Sequence, residues 1–135
     1  MLKRISGRVI SKGVASGSAL VSNAPLSFLG GVNPTTGEII DPRHELYGCA
    51  VAKRVLIFPT GKGSTVGSYV IYQLKKKGVA PAAIINEVSD TIIAVGAIIS
   101  GLPLIDKLEI NPISSIKTES NVLVNCFEGF IEVEL

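Results

Sequence analysis

Residues Phe58–Gly78, FPTGKGSTVGSYVIYQLKKKG, decide the fold. The residues before and within its start, AKRVLIF (52–58), alternate and branch like a buried strand, which stops at Pro59 because proline cannot donate to a sheet ladder. A loop containing Gly61 and Gly63 follows. From about Thr65 to Lys77 the apolar residues Val66, Val70, Ile71 and Leu74 recur at helical spacing. Lys75–Lys77 suit the negative end of that helix, and Gly78 suits its left-handed stop. Strand, glycine loop and helix then lead into AAIINE (82–87), a second buried strand, so the centre of the chain reads as a βαβ unit.

Working outward, SDTIIAVGAIISG (89–101) predicts a second helix capped by Ser89 or Asp90 and stopped by Gly101. LPLIDKL (102–108) predicts another strand, and NVLVNCFEGFIEVEL (121–135) a hairpin turning at Glu128-Gly129. On the N-terminal side RISGRVI (4–10) and GSALVS (17–22) read as strands, while GGVNPTTGEIIDP (30–42) marks a long turn-rich connection. The expectation is one α/β domain over residues 1–135, β-rich, with a central βαβ unit and two main helices.

Composition narrows the function classes. The 135 residues are 47% hydrophobic and only 18% charged, which leaves few charges to cover the outside and predicts a partner. No apolar run reaches the roughly 20 residues of a membrane helix, and MLKRISGRVISKG lacks the apolar core of an export signal, so a cytoplasmic chain without a membrane partner is expected. Thirteen basic residues against eleven acidic ones give no nucleic-acid-binding signature. Cys49, Cys126 and the single His44 cannot by themselves make a metal site of the usual Cys/His type, and both cysteines lie in apolar segments that suit core positions.

Spacing leaves two anion-binding possibilities for the glycine loop. A phosphate-binding P-loop needs Ser or Thr directly after its lysine and a glycine five residues before Gly61, but Gly63 follows Lys62 and Leu56 holds the other position. A dinucleotide fingerprint fits better, since Gly61 and Gly63 follow a strand and Glu87 ends the next one, yet the third glycine comes late, at Gly67. A stand-alone nucleotide- or anion-binding module therefore remains the alternative.

Three segments in order carry a more specific likeness: PLSFLGGVNPTTGEIID (25–41), RHELYG (43–48), and FPTGKGSTVGSYVIYQL with GVAPAAIIN (58–74 and 78–86). Together they resemble the small, swivelling-domain subunit of the aconitase X family. The resemblance implies an aconitase-like swivelling β/β/α domain and a two-part hydro-lyase. A large partner subunit would carry a 4Fe-4S cluster, with no metal in this chain, and the swivelling domain would close over it with a serine base that maps onto Ser64. For archaeal members it implies dehydration of a phosphorylated hydroxy acid, (R)-5-phosphomevalonate, to trans-anhydromevalonate 5-phosphate in a mevalonate pathway; small subunits of cis-3-hydroxyproline dehydratases are the nearest confusable group. Gly61, Lys62, Gly63, Thr65 and His44 are the accompanying substrate-binding candidates. Ordinary aconitases continue Gly-Ser-Ser-Arg, supplying an arginine for the substrate carboxylate, whereas here Thr65 and Val66 follow Ser64. Lys62, Arg43 or the large subunit must then provide the cation.

Overall fold

In the computed structural model, which describes residues 2–135, the elements follow one another as β1 (Leu2–Ser6), β2 (Arg8–Ser11), β3 (Val14–Val21), β4 (Val55–Phe58), α1 (Gly67–Lys77), β5 (Ala83–Asn86), α2 (Thr91–Ser100), β6 (Leu104–Asp106), α3 (Pro112–Ser115), β7 (Asn121–Asn125) and β8 (Phe130–Glu134). Strands β3, β4, β5 and β6 lie side by side in parallel, with β2 antiparallel on the outer edge of β6. The long β3 belongs to two sheets. Its residues Ala19–Val21 pair with β4, while Val14–Ser18 pair antiparallel with β7, which continues through β8 to β1. Only Gly7 separates β1 from β2, so one bend joins the far edges of the two sheets. A Cβ there would lie 2.6 Å from Leu108 Cδ2 and 2.8 Å from the Asp106 carbonyl, which leaves no space for a side chain at the bend.

The sequence pattern explains the layering. Residues in β4, β5 and β6 are buried on both faces, as parallel strands under helices require. Alternate positions divide between two cores. Leu20, Leu56, Phe58, Ile84 and Leu104 meet Ile71, Leu74, Ile93 and Ala97 beneath the helices. Ala19, Val55, Ile57, Ala83, Ile85 and Ile105 meet Val122, Val124, Ile131 and Val133 on the antiparallel sheet. The result is the expected β/β/α stack, with α1 and α2 packed together on one face because successive crossovers step across the sheet in one direction. That uniform order also lacks the reversal at which doubly wound sheets open a dinucleotide crevice.

Of the two caps the sequence offers, Asp90 is the one used, accepting from the Ile92 and Ile93 N–H groups, and Gly101 ends α2 at φ 67° as expected. The hairpin forms between β7 and β8, its turn held by Asn125 Oδ1 accepting from the Phe127 and Glu128 N–H groups. Three details differ from the sequence reading. RISGRVI is two strands that part at Gly7, α1 begins at Gly67 rather than Thr65, and α3 is an additional short helix with Asn111 as its cap and Pro112 at its first position. No helix among the described residues is long and apolar enough to cross a membrane.

Two features frame the C-terminal ends of the parallel strands. After β3, residues 22–54 form no helix or multi-residue strand, yet Leu26, Phe28, Val32, Ile39, Leu46 and Val51 fix the segment in the core beneath the helices. At the end of β6 the fully buried Asp106 carboxylate receives Arg8 Nε at 2.9 Å, Arg8 Nη2 at 2.8 Å and the Ser89 N–H at 2.7 Å. Burial alone would raise its pKa, but the hydrogen bonds from Arg8 and Ser89 and the charges of Arg8 and Lys107 outweigh it and hold the carboxyl below its usual range.

Candidate functional site

The glycine loop between β4 and α1 is fixed at its base. Leu26 donates to the Thr60 carbonyl and accepts from the Lys62 N–H, both at 3.2 Å. Gly61 is buried, and its N–H donates to Asp90 Oδ1 at 3.2 Å; a Cβ at Gly61 would fall 2.5 Å from Ile93 Cγ1 and 2.6 Å from that same oxygen. Glycine lets the loop rest on the start of α2, so Gly61 positions the loop. Gly63 adopts φ 88°, and a Cβ on it would lie 2.4 Å from Ser27 Oγ.

Ser64 is exposed at the crest. Its Oγ accepts from the Val66 N–H at 3.1 Å, and its carbonyl accepts from the Gly67 N–H at 2.9 Å. Ser64 is therefore a turn residue three positions ahead of α1, not its N-cap; Val66 holds the cap position with no side-chain cap bond. The hydroxyl engages the Val66 N–H, and those of Gly63, Ser64 and Thr65 are without an acceptor among the described residues.

Facing this loop is a groove of about 400 Å³ whose walls include Ser27, Gly30, Gly31, Asp41, Arg43 and Lys62. Ser27 Oγ donates to the Leu29 carbonyl at 3.0 Å, and Asp41 Oδ1 accepts from the Arg43 N–H at 3.0 Å, closing a turn that presents Arg43. The Arg43 and Lys62 side chains are exposed and make no hydrogen bond or ion pair among the described residues. The Gly30 and Gly31 N–H groups likewise have no acceptor there.

His44 does not line this groove. It is 8% exposed, and its Nδ1 accepts from the Leu46 N–H at 3.1 Å, so in the neutral ring the proton sits on Nε2, which has no partner. The imidazole thus fastens the turn that follows Arg43. Next to it, Glu45 Oε1 accepts from Ser22 Oγ at 2.8 Å and from the Asn23 N–H, tying that turn to the end of β3. The Ser22 hydroxyl, followed by the backbone N–H groups of Asn23 and Ala24, holds the Glu45 carboxyl below its usual range.

A second groove, also about 400 Å³, opens on the helix side of the loop among Thr65, Val66, Tyr69, Ile92, Val95 and Ile99. It is apolar, and Val66, Tyr69, Val95 and Ile99 are all exposed. Lys62 lines the first groove and Thr65 the second, so Ser64 lies on the chain between a cationic hollow and an apolar one.

The glycine loop was legible in sequence, but its facing wall was only partly so. Arg43 was one of the candidates for the substrate cation, whereas Ser27, Gly30 and Gly31 gave no signal beyond their place in a turn-rich segment of the family likeness. Neither cysteine suits an iron–sulfur cluster. Cys49 packs half-buried against the core under the helices, while Cys126 is buried between the sheets, where desolvation pushes its thiol up to about 11. A cluster needs several neighbouring thiolates, and no group of three or more His, Cys, Asp or Glu gathers among the described residues.

Comparison with known proteins bears on the family and the fold. Residues 4–133 match the family model for the aconitase X swivel domain. The phosphomevalonate dehydratase small subunit of Methanocella arvoryzae is 58% identical over 130 residues, covering 96% of this chain and 98% of that one. The protein of the same name from Methanosarcina acetivorans is 54% identical, covering 96% of this chain and 90% of that one. The crystal structure of Thermococcus kodakaraensis aconitase X in its holo-form superposes with a TM-score of 0.92 at 47% identity, covering 98% of this chain and 99% of that chain.

Proposed function

Since the chain belongs to the aconitase X swivel-domain family, we propose that it is the small subunit of a phosphomevalonate dehydratase, with Ser64 as the general base. The observation that carries the activity is the 58% identity to a small subunit of that name across 96% of the chain. The role of Ser64 is supported by its exposure on a glycine loop at the C-terminal ends of the parallel strands, beside unbonded N–H donors.

The reaction removes a proton from the carbon next to the substrate carboxylate. Those C–H electrons form the alkene as the hydroxyl on the neighbouring carbon departs, finally as water, giving trans-anhydromevalonate 5-phosphate. Ser64 Oγ receives the proton. A neutral serine is too weak a base, so its alkoxide must be stabilised. The chain offers the N–H groups of Gly63, Ser64 and Thr65, the Lys62 ammonium two residues away, and the positive end of α1. A helix terminus contributes roughly 0.3–1 kcal/mol, at best about 2, whereas one pKa unit is about 1.36 kcal/mol. With Ser64 ahead of the first turn, the isolated chain supplies too little, and closure by a second subunit has to exclude water.

In this reading the large partner would carry a 4Fe-4S cluster, which would supply Lewis-acid assistance to the departing hydroxyl; Cys49 and Cys126 lie in different cores and are not placed to share one. Gly61 and Gly63 shape the loop, Lys62 binds the substrate anion, and Thr65 borders the apolar groove on the other side of Ser64. His44 contributes by holding the turn that presents Arg43. The test is an assay of the purified chain, its large partner and the reconstituted pair, each with 5-phosphomevalonate and with cis-3-hydroxyproline. Turnover of the phosphorylated substrate by the pair alone is expected. Turnover of hydroxyproline instead, or by the small chain unaided, would overturn the proposal.

A further inference from the structure

The groove beside Ser64 takes its walls from two separate segments, each of which supplies one cation. Arg43 comes from the Asp41–Pro42 turn, and Lys62 from the glycine loop. Two like charges facing one hollow repel each other, and neither is relieved by a carboxylate bonded to its side chain among the described residues. Asp41 also lines the groove, but its Oδ1 receives the Arg43 backbone N–H, so the two side-chain cations remain uncommitted. With that one carboxylate counted, the groove holds one net positive charge, and loss of either cation would cancel it.

The donors also indicate the anion's shape. A carboxylate is satisfied by one planar fork, whereas the terminal oxygens of a phosphate monoester need donors from several directions. Arg43 and Lys62, from two separate segments, and Gly30 and Gly31, whose N–H groups are unbonded, all line the groove and supply donors of that number and variety. We propose that this groove receives the phosphate monoester end of the substrate, gripped between Arg43 and Lys62. This rests on the dehydratase reading and deepens it: one loop anchors the anion through Lys62 and presents the base at Ser64, while Arg43 sets the preference for a phosphorylated acid.

The test uses the assembled pair carrying Arg43→Ala, Lys62→Ala, both together, or Arg43→Lys. Each alanine variant should raise KM for 5-phosphomevalonate at least about tenfold, with a smaller change in kcat, and the double variant should approach about a hundredfold. Inhibition by inorganic phosphate should weaken in parallel, and Arg43→Lys should recover part of the loss. Ser64→Ala should behave oppositely, losing turnover while binding 5-phosphomevalonate in calorimetry as tightly as the wild type. If Ser64→Ala turns over normally while the alanine variants lose KM, the base assignment falls and the groove stands. If the wild-type pair does not turn over 5-phosphomevalonate, calorimetric binding of inorganic phosphate that the double variant abolishes would sustain the groove as an anion site, and absence of that binding would overturn it. A double variant whose KM and phosphate inhibition stay within about twofold of wild type also overturns it.

Discussion

At Gly63, one added carbon should do more damage than at a glycine of nearly the same backbone angle elsewhere. Gly63 has φ 88° and a would-be Cβ 2.4 Å from Ser27 Oγ, while Gly48 has φ 87° with nothing within 4 Å of that position. Both alanine variants carry the left-handed penalty of about 1–2 kcal/mol, but only Gly63→Ala must also displace Ser27. Denaturation of the two variants should therefore show the larger loss for Gly63→Ala, and only that variant, paired with the large subunit, should lose kcat as well. Equal losses would mean that the Ser27 contact does not position the loop. Much at this scale was legible, because glycines ahead of a helical pattern announce a backbone held in an unusual place. What the sequence concealed was which neighbour demands each glycine: Ser27 lies 36 positions before Gly63, and only the fold brings them together. The sequence also left the position of Ser64 relative to α1 open, because a serine just before a helical pattern reads alike whether its hydroxyl meets the first helical turn or, as here, Val66 outside it.

Among the elements, β2 and β6 hold together through a titratable pair. Asp106 is buried on β6, and Arg8 on β2 grips it with two hydrogen bonds. Because its folded pKa lies below its unfolded value, Asp106 contributes stability that is fully present above the unfolded carboxylate range and lost as the pH falls through the folded pKa. A series of melting temperatures below about pH 4 should fall more steeply for the wild type than for Asp106→Asn, which has no proton to take up. Parallel acid limbs would show that the pair is not what fails. Sequence patterning located β4 and β5 well, because unbroken apolar runs bounded by Pro59 and Asn86 leave few alternatives. It could not show that β3 changes sheets between Ser18 and Ala19, since that depends on which partner each half meets. The four-residue α3 was missed, although Asn111-Pro112 carried a start signal, because one turn has no periodicity to detect.

For the whole molecule, the fold places an exposed serine between a cationic groove and an apolar one at one end of a parallel sheet, and leaves both open. The composition already pointed to a partner through its scarcity of charge; the exposed Val66, Tyr69, Val95, Ile98 and Ile99 show where apolar surface remains on the helix side. The segment from 22 to 54 was the least legible part, because its order comes from six core side chains at irregular spacing. The turn role of Ser64 and its proposed role as the base are separable. As a turn residue it accepts one exposed hydrogen bond, whose loss costs about 0.5–1.5 kcal/mol, whereas loss of a general base lowers the rate by about 10²–10⁴-fold. The most direct measurement pairs Ser64→Ala with the large subunit and records both turnover of 5-phosphomevalonate and exchange of the substrate proton with solvent, alongside the melting temperature. The account predicts that both reactions fall by at least about a hundredfold while assembly and melting temperature barely change. Activity within a few-fold of wild type, with a lowered melting temperature, would show that Ser64 only holds the turn.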